Sequence, residues 1–589
     1  MISNLFDRGF LRFFRNNVYR GYRKKGVVFG CDGQKEDYNR DAKSETKDSD
    51  CRKEGKRMKI HFHDSGTLLM TEGPIGRQMI TFAIPIFLGQ LFQQLYNTVD
   101  TIIVGNLLGD HALSAVASSG NLIMLLVGFF NGMSMGASVV ISQAFGAGKQ
   151  KELTRTIHTS IALGLLLSIV LALLGRWLSP IILVWMQTPP EVLPLSNSYF
   201  EVYFTGIIGL VLYNIFSAIL RAVGDSKHPL YFLMISSGLN VVMDLVFIAV
   251  FHWGVAGAAI ATVISQAVSA ILALRTLLKA DGPHRVELTR LRIHWPQLKQ
   301  IVRYGIPTGV QNSIISLANV VVQSNINSFG SLAMAGCGAY SKVEGFVFLP
   351  IMSFGMAIST FVGQNLGAGD TDRAKSGASF GVRCSCAAAE VVGVLFFLFA
   401  PSMIWLFDQN PEVIAFGALR AQTNALFYFL LAYSHAISAV CRGAGKPAVP
   451  MNVMLVCWCL IRVGFLWITA PFHNIAFVNW VYPMTWALSS IFFFWYSHRK
   501  NFLTSSILAA GKDESAKETA DENVSSRPVA APVLALEADD AADEENKETM
   551  LVLNSVSRNE ESSRSIRGGG GCRCVDGGRN LRPNPLDEN

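Results

Sequence analysis

The sequence predicts an all-α polytopic membrane protein, with twelve transmembrane helices in two six-helix repeats. Three observations predict it. Half of the 589 residues are apolar and only 16% are charged, against about 25% in soluble domains, and the mean hydropathy is +0.34. Apolar segments long enough to cross a bilayer recur between residues 70 and 500. The loops between them alternate between basic and nearly charge-free. This composition excludes an ordinary soluble enzyme, and a nucleic-acid binder despite the formal net charge of +7.

In chain order the spans are expected at 79–99, 113–141, 157–178, 199–220, 229–251, 255–278, 301–328, 332–362, 377–400, 421–441, 448–470 and 476–496. Several exceed the ~20 residues needed to cross, which implies tilt or a protruding end. Pro85, Pro307 and Pro350 lie inside spans, where neighbouring helices can satisfy the freed backbone groups. Short loops on one side carry seventeen Lys/Arg, seven of them in 275–303 alone, and loops on the other side carry only Arg420, read as a helix end. By the positive-inside rule both termini are cytoplasmic, in a multi-pass plasma (inner) membrane protein.

The flanks differ from the body. Residues 1–60 hold sixteen Lys/Arg and nine Asp/Glu. Phe10, Leu11, Phe13 and Phe14 among Arg8, Arg12 and Arg15 suit a short surface-lying helix. A start called too early, with Met58 or Met70 the true start, is the alternative. Residues 501–589 read as a disordered, largely acidic cytoplasmic tail. The expected organisation is a 1–69 extension, a 70–278 lobe, a 279–300 linker, a 301–500 lobe and that tail. Ten cysteines, among them Cys384/Cys386 and Cys457/Cys459, lack CxxC spacing and suggest no structural metal.

The two halves read as copies. Gln143–Gly148 recurs as Gln364–Gly369, Ser217–Arg221 as Ser438–Arg442, Gly224 as Gly445 and Pro229 as Pro450, all 221 residues apart, with Pro85 and Pro307 222 apart. A six-helix unit is even, so both copies share one topology and an axis along the membrane normal. Two such bundles around a cleft point to an alternating-access carrier. The linker alternates Leu288, Leu291, Ile293, Trp295 and Leu298 with Arg290, Arg292 and Lys299. That pattern suits a segment lying on the inner leaflet, or a plain charged connector.

Polar groups inside spans are the candidate functional residues. Asp100 follows Pro85 by fifteen residues and Asp244 follows Pro229 by fifteen. At 1.5 Å per residue each carboxyl lies about 22 Å beyond its proline, at similar depth. Asn240 shares a face with Asp244, and Asn97 lies three residues before Asp100. Two carboxylates and two amides suit an oxygen-lined Na⁺ site or a proton-accepting pair, and the plain alternative is that Asp100 caps its span. Gln90, Gln93 and Gln94 in the first span, and Gln311, Asn312, Asn319, Gln323 and Asn325 in the seventh, are expected to line the cleft. His435 reads as a gating group or an interior histidine. Phe129, Phe130, Phe346, Phe348 and Tyr428 supply possible aromatic walls for an organic cation. Lys342, Glu344, Glu390 and Arg462 form an internal ion-pair set or take part in transport. The GAG segments lack GxxxxGK[ST], so ATP is not expected. They read as tight turns after helices, with Arg221 and Arg442 as equivalent hinges or anchors.

Residues 70–500 resemble the multidrug and toxic compound extrusion (MATE) family, with similarity to its DinF-like, prokaryotic branch. The similar stretches are Thr71–Pro74, Ile84-Pro85, Tyr96–Asp100, Val104-Gly105, Gln143–Gly148, Leu220–Asp225 and Asn240–Asp244. The resemblance implies a V-shaped transporter. It implies a secondary antiporter that exports organic cations or other amphiphiles in exchange for inward Na⁺ or H⁺. It further implies a cation site in the N-terminal lobe, falling here on Asp100, Asn240 and Asp244. The NorM-like branch uses acidic residues in spans seven and ten, and this chain has none in 301–328 or 421–441. The expected partners are membrane lipid and a small organic substrate, with no nucleic acid, no ATP and no cofactor beyond the coupling ion, and the chain is expected to work as a monomer. A flippase for a lipid-linked substrate is the rival, favoured by a basic cavity; a non-transporting membrane scaffold is weaker.

Overall fold

The computed structural model describes residues 69–185, 189–499 and 503. The surface helix around Phe10 and the acidic tail fall outside the described residues. Each predicted span falls on one helix or one interrupted helix. In order these are Ile75–Leu108, Asp110–Gly146, Gln150–Trp185, Leu193–Thr205 with Ile207–Ala222, Lys227–Asp244 with Leu245–Val250, and Gly254–Leu278. The second set is Trp295–Asn327, Ser331–Gly367, Thr371–Trp405, Pro411–Ala425 with Tyr428–Gly443, Ala448–Met454 through Leu455–Ile461 to Arg462–Thr469, and Ile475–Ser497. Among the described residues eight helices are long and apolar enough to cross a membrane, and ten pass if each bent pair is one span. The seventh, Trp295–Asn327, is diluted by the polar residues predicted for it.

The duplication extends to backbone conformation. Left-handed residues occur at Gly109 and Gly330, Gly148 and Gly369, Gly224 and Gly445, and even at two histidines, His252 and His473. Every pair is 221 residues apart. The fourth and tenth spans bend at matching places, by 49° and 56°. The fifth and eleventh spans each contain a π-helical turn, at Leu245–Val250 and Leu455–Ile461, but these start 210 residues apart and so fall outside the register of the repeat. The GAG segments end their helices with Gly148 at φ 69° and Gly369 at φ 78°. The amides of Lys149 and Asp370 then bond back to Ala144 and Asn365. Gly148→Ala should cost about 1 kcal/mol from the left-handed backbone alone, because a methyl there meets nothing within 4 Å. Gly445→Ala should cost more, since the methyl would stand 2.8 Å from the Tyr304 hydroxyl. Thermal unfolding of the two variants in detergent checks the order.

Each lobe has its own core, one around Ile141, Ile157, Phe216 and Ile219, the other around Tyr428, Trp458, Trp486 and Phe493. A third core joins the lobes at the end bearing the basic loops, where Met70, Met79 and Phe82 pack with Phe361, Val362 and Val440. Farther along, the second span meets the seventh through Gly132 and Gly136 against Gly309 and Gly305. A methyl on any of these would overlap the facing helix, so the lobes touch backbone to backbone. The linker is tied to the third span. Thr154 donates to Pro283 O (3.1 Å), the Glu287 amide to His158 Nε2 (3.2 Å) and the His294 amide to Thr159 Oγ1 (3.1 Å). Val286 is buried on that side, while Leu288, Ile293 and Trp295 face outward. The seventh span starts at Trp295, earlier than predicted, because Pro296 suits the first helical turn.

Candidate ion and substrate sites

In the N-terminal lobe the first span carries Asp100, and the fifth carries Asp244 as the last α-helical residue before the π turn. The two carboxyls lie close enough for their charges to interact. Asp244 is wholly buried. Among the described residues neither of its oxygens meets a donor, and Asp100 Oδ1 and both side-chain amide atoms of Asn240 are likewise unpartnered, the two carboxyls having only each other within reach. Tyr199 from the fourth span stands beside both carboxyls. Tyr96 stands beside Asp100 and accepts a long bond from Gln266 Nε2 (3.5 Å), whose Oε1 is also unpartnered. The pocket thus collects unsatisfied buried oxygens on three predicted residues, and Tyr199, Tyr96 and Gln266 join them. Asn97 does not, because it turns outward and is exposed. Tyr96 is the neighbour that turns inward, a distinction that spacing alone does not make.

Several predicted cleft residues do bridge the lobes. Ser353 donates to Gln90 Oε1 (3.4 Å), and Asn312 Nδ2 donates to Gly128 O (3.2 Å). Gln94 lies against Gly345 of the eighth span. Lys342, one turn before Gly345 on the same face, is exposed. Gln311 is buried with Oε1 unpartnered. Pro85 is half-buried inside the first helix, one turn before Gln90.

Other candidates have different surroundings. Gln323 is exposed and bonds Asn327 on its own helix (2.9 Å). His435 is interior, its ring against Phe348 and Trp458 at centroid distances of 6.1 and 5.5 Å. Tyr428 is wholly buried in the C-terminal lobe, its hydroxyl 2.9 Å from that of Tyr340. Large residues on an apolar helix look alike in sequence whether they face a cleft or a lobe core. Among the described residues Glu390 has no cation within ion-pair distance. It accepts the Phe429 amide (3.2 Å), capping the helix that restarts after the tenth-span bend.

The C-terminal lobe encloses a charged cluster. Tyr340 donates to Glu344 (2.7 Å), and Asn424 Nδ2 donates to Tyr340 (3.0 Å). Arg462 donates to Asn319 Oδ1 (3.1 Å) and Thr485 Oγ1 (2.9 Å). Arg420 completes it. Far from marking a helix end, it sits inside the Pro411–Ala425 helix and is 3% exposed. A lone Arg on the side whose loops otherwise lack Lys and Arg was the available signal for it.

At the basic end the GAG helices interlock. Gln143 Nε2 donates to Gly443 O (3.0 Å) and Gln364 Nε2 to Ala222 O (2.8 Å), two bonds related by the 221-residue offset. Gly146 lies on the Gln364 backbone and Gly367 on that of Gln143. Gln364 Oε1 accepts the Met70 amide (3.0 Å), and Arg373 holds Met70 O (3.2 Å) and Gly73 O (2.8 Å), pinning the start of the first span to the other lobe. Arg221 and Arg442 end the helices that supply these carbonyls, and Arg442 is buried with Nε unpartnered.

The MatE family model matches the chain twice, at residues 85–246 and 307–468. The chain is 30% identical over 398 residues to the probable multidrug resistance protein YpnP of Bacillus subtilis strain 168, covering 67% of this chain and 88% of that protein. It is 25% identical over 357 residues to an FAD transporter of Shewanella oneidensis, covering 59% and 77%. A crystal structure of a MATE protein in complex with MaL6 superposes with a TM-score of 0.70 at 23% identity, covering 76% of this chain and all of that one. With its paired six-helix lobes, matched turns and twofold family match, this chain belongs to the MATE family of multi-pass membrane transporters.

Proposed function

We propose that the protein is a secondary antiporter that exports amphiphilic organic compounds, driven by inward Na⁺ or H⁺ taken up at Asp100 and Asp244. The observation that carries this reading is a pair of adjacent carboxyls, Asp244 wholly buried with both oxygens unpartnered and half-buried Asp100 with its Oδ1 unpartnered. Two such groups side by side in a lobe interior are neutralised by a cation between them or by protons. Asn240 and Gln266 offer further free oxygens for a desolvated Na⁺. The basic loops support reading the interlocked end as cytoplasmic. The lobe contacts described above run from that end to about mid-depth, at Gln94–Gly345 and Asn312–Gly128. That is the arrangement of an outward-open carrier. Ion entry at the pair then matters through its differential effect on the two states. The π turn after Asp244 is where a change of charge can be taken up as a change of helix path.

The test is flux of a fluorescent organic cation in proteoliposomes, under a Na⁺ gradient alone and a pH gradient alone. Movement driven by one gradient names the ion. No movement under either, in folded and oriented protein, removes the organic-cation antiporter. A second reading has its own observation: exposed Lys342 on the cleft-facing side of the eighth span is suited to an anionic amphiphile. The similarity to a protein named as an FAD transporter supports it. Competition of the flux by a flavin nucleotide, relieved in Lys342→Gln, would select this substrate class.

A further inference from the structure

The repeat relates the N-terminal carboxylate pocket to a place of opposite charge. At the 221-residue offset Tyr199 corresponds to Arg420, and its stacked neighbour Tyr203 corresponds to Asn424. Where the first lobe gathers two carboxyls, the second gathers two guanidiniums and one carboxyl. Arg420 is 3% exposed and its Nε and Nη1 have no hydrogen-bond partner. Arg462 is 1% exposed; it gives two bonds to neutral oxygens and leaves Nε free. Among the described residues neither guanidinium has a carboxylate within ion-pair distance. Glu344 accepts from Tyr340 and acts on both guanidiniums through space without pairing directly with either.

Aromatic faces compensate part of this charge. Tyr482 lies 5.1 Å from the Arg420 guanidinium and 4.6 Å from that of Arg462, while Tyr340 and Trp458 lie over the other faces at 5.2 and 5.4 Å. A ring offers these groups at most a weak N–H···π contact, so Arg420 Nε and Nη1 remain without an oxygen acceptor. Arginine does not escape by losing its proton. An excess positive charge enclosed in a membrane lobe is costly without a counter-charge.

We propose that the C-terminal lobe holds an anion site, in which a small monovalent anion, a halide or a carboxylate, is bound by the free N–H groups of Arg420 in the field of Arg462. Glu344 tunes the site by opposing the anion. The carrier then has one lobe built for a cation and the other for an anion, at equivalent places in the repeat.

The experiment is equilibrium binding of radiolabelled chloride and, separately, acetate to the full chain in nanodiscs, purified in sulfate without either anion. Saturable binding of one per chain is expected, and the anion that binds identifies the source as a halide or a carboxylate. Glu344→Gln should tighten binding by about tenfold, because it removes the opposing charge. Arg420→Gln should abolish binding. A merely structural cluster predicts loss of stability in both variants and no anion dependence in either. Should Arg420→Gln fail to fold, Glu344→Gln decides. Absence of saturable chloride and acetate binding in wild type and Glu344→Gln, or equal affinity in the two, overturns the proposal.

Discussion

Asp244→Asn is expected to lower gradient-driven flux about a hundredfold while leaving the protein folded. The magnitude follows from removing about 3 kcal/mol of charge interaction at a buried site, at 1.4 kcal/mol per factor of ten. The wild-type carboxyl is wholly buried and makes no hydrogen bond. An isosteric amide therefore breaks nothing structural. It also relieves the repulsion from Asp100, so thermal stability measured without Na⁺ should rise by about 1 kcal/mol. Asp100→Asn should repeat the flux loss with a smaller stability gain, since Asp100 is only half-buried. The combination of lost flux and gained stability is the signature. A drop in both would mean that Asp244 holds the lobe together, and full coupled flux in either variant would remove the pair from the mechanism.

Gly146→Leu and Gly367→Leu are expected to prevent closure at the basic end. Each glycine lies directly on the backbone of the opposite lobe, beside Gln364 and Gln143. A side chain there cannot be accommodated by a rotamer change, because the obstacle is main chain. Overpacking of this kind costs about 1–3 kcal/mol or more, enough to shift a two-state equilibrium by roughly tenfold to a hundredfold. The cost falls only on the state in which the lobes touch. The variants should fold, populate the state open at the basic end, and lose export. Distances between spin labels at positions 149 and 370, on the loops after the two GAG turns, report the shift. Gly148→Ala, in the same turn but meeting nothing within 4 Å, is the control that should leave the distance unchanged.

Much of the architecture was legible because it rests on local rules. Membrane spans announce themselves by length and hydropathy. The duplication was visible at four places and proved to include the left-handed backbones at Gly109/Gly330 and His252/His473. Helix periodicity put Asp244 and Asn240 on one face, and the structure sets Asp100 beside Asp244. The misplacements share one cause. Asn97 was grouped with the carboxyls while Tyr96 was not singled out, Tyr428 was offered as a cleft wall, and Arg420 was read as a helix end. In a bilayer both the lipid face and the lobe interior are apolar. The hydrophobic pattern that separates inside from outside in a soluble helix is therefore nearly silent about which way a polar residue points.

The sequence by itself determined the spans, their alternation, the repeat and the existence of intramembrane charges, since each depends on composition or spacing along one helix. Tertiary structure alone decided which charges meet. Asp100 and Asp244 lie 144 residues apart, as Glu344 and Arg462 lie 118 apart. Their neighbourhoods are made by helix crossings that depend on glycine contacts, bends at the fourth and tenth spans and a π turn. Those are packing decisions between helices, and nothing periodic within one helix encodes them.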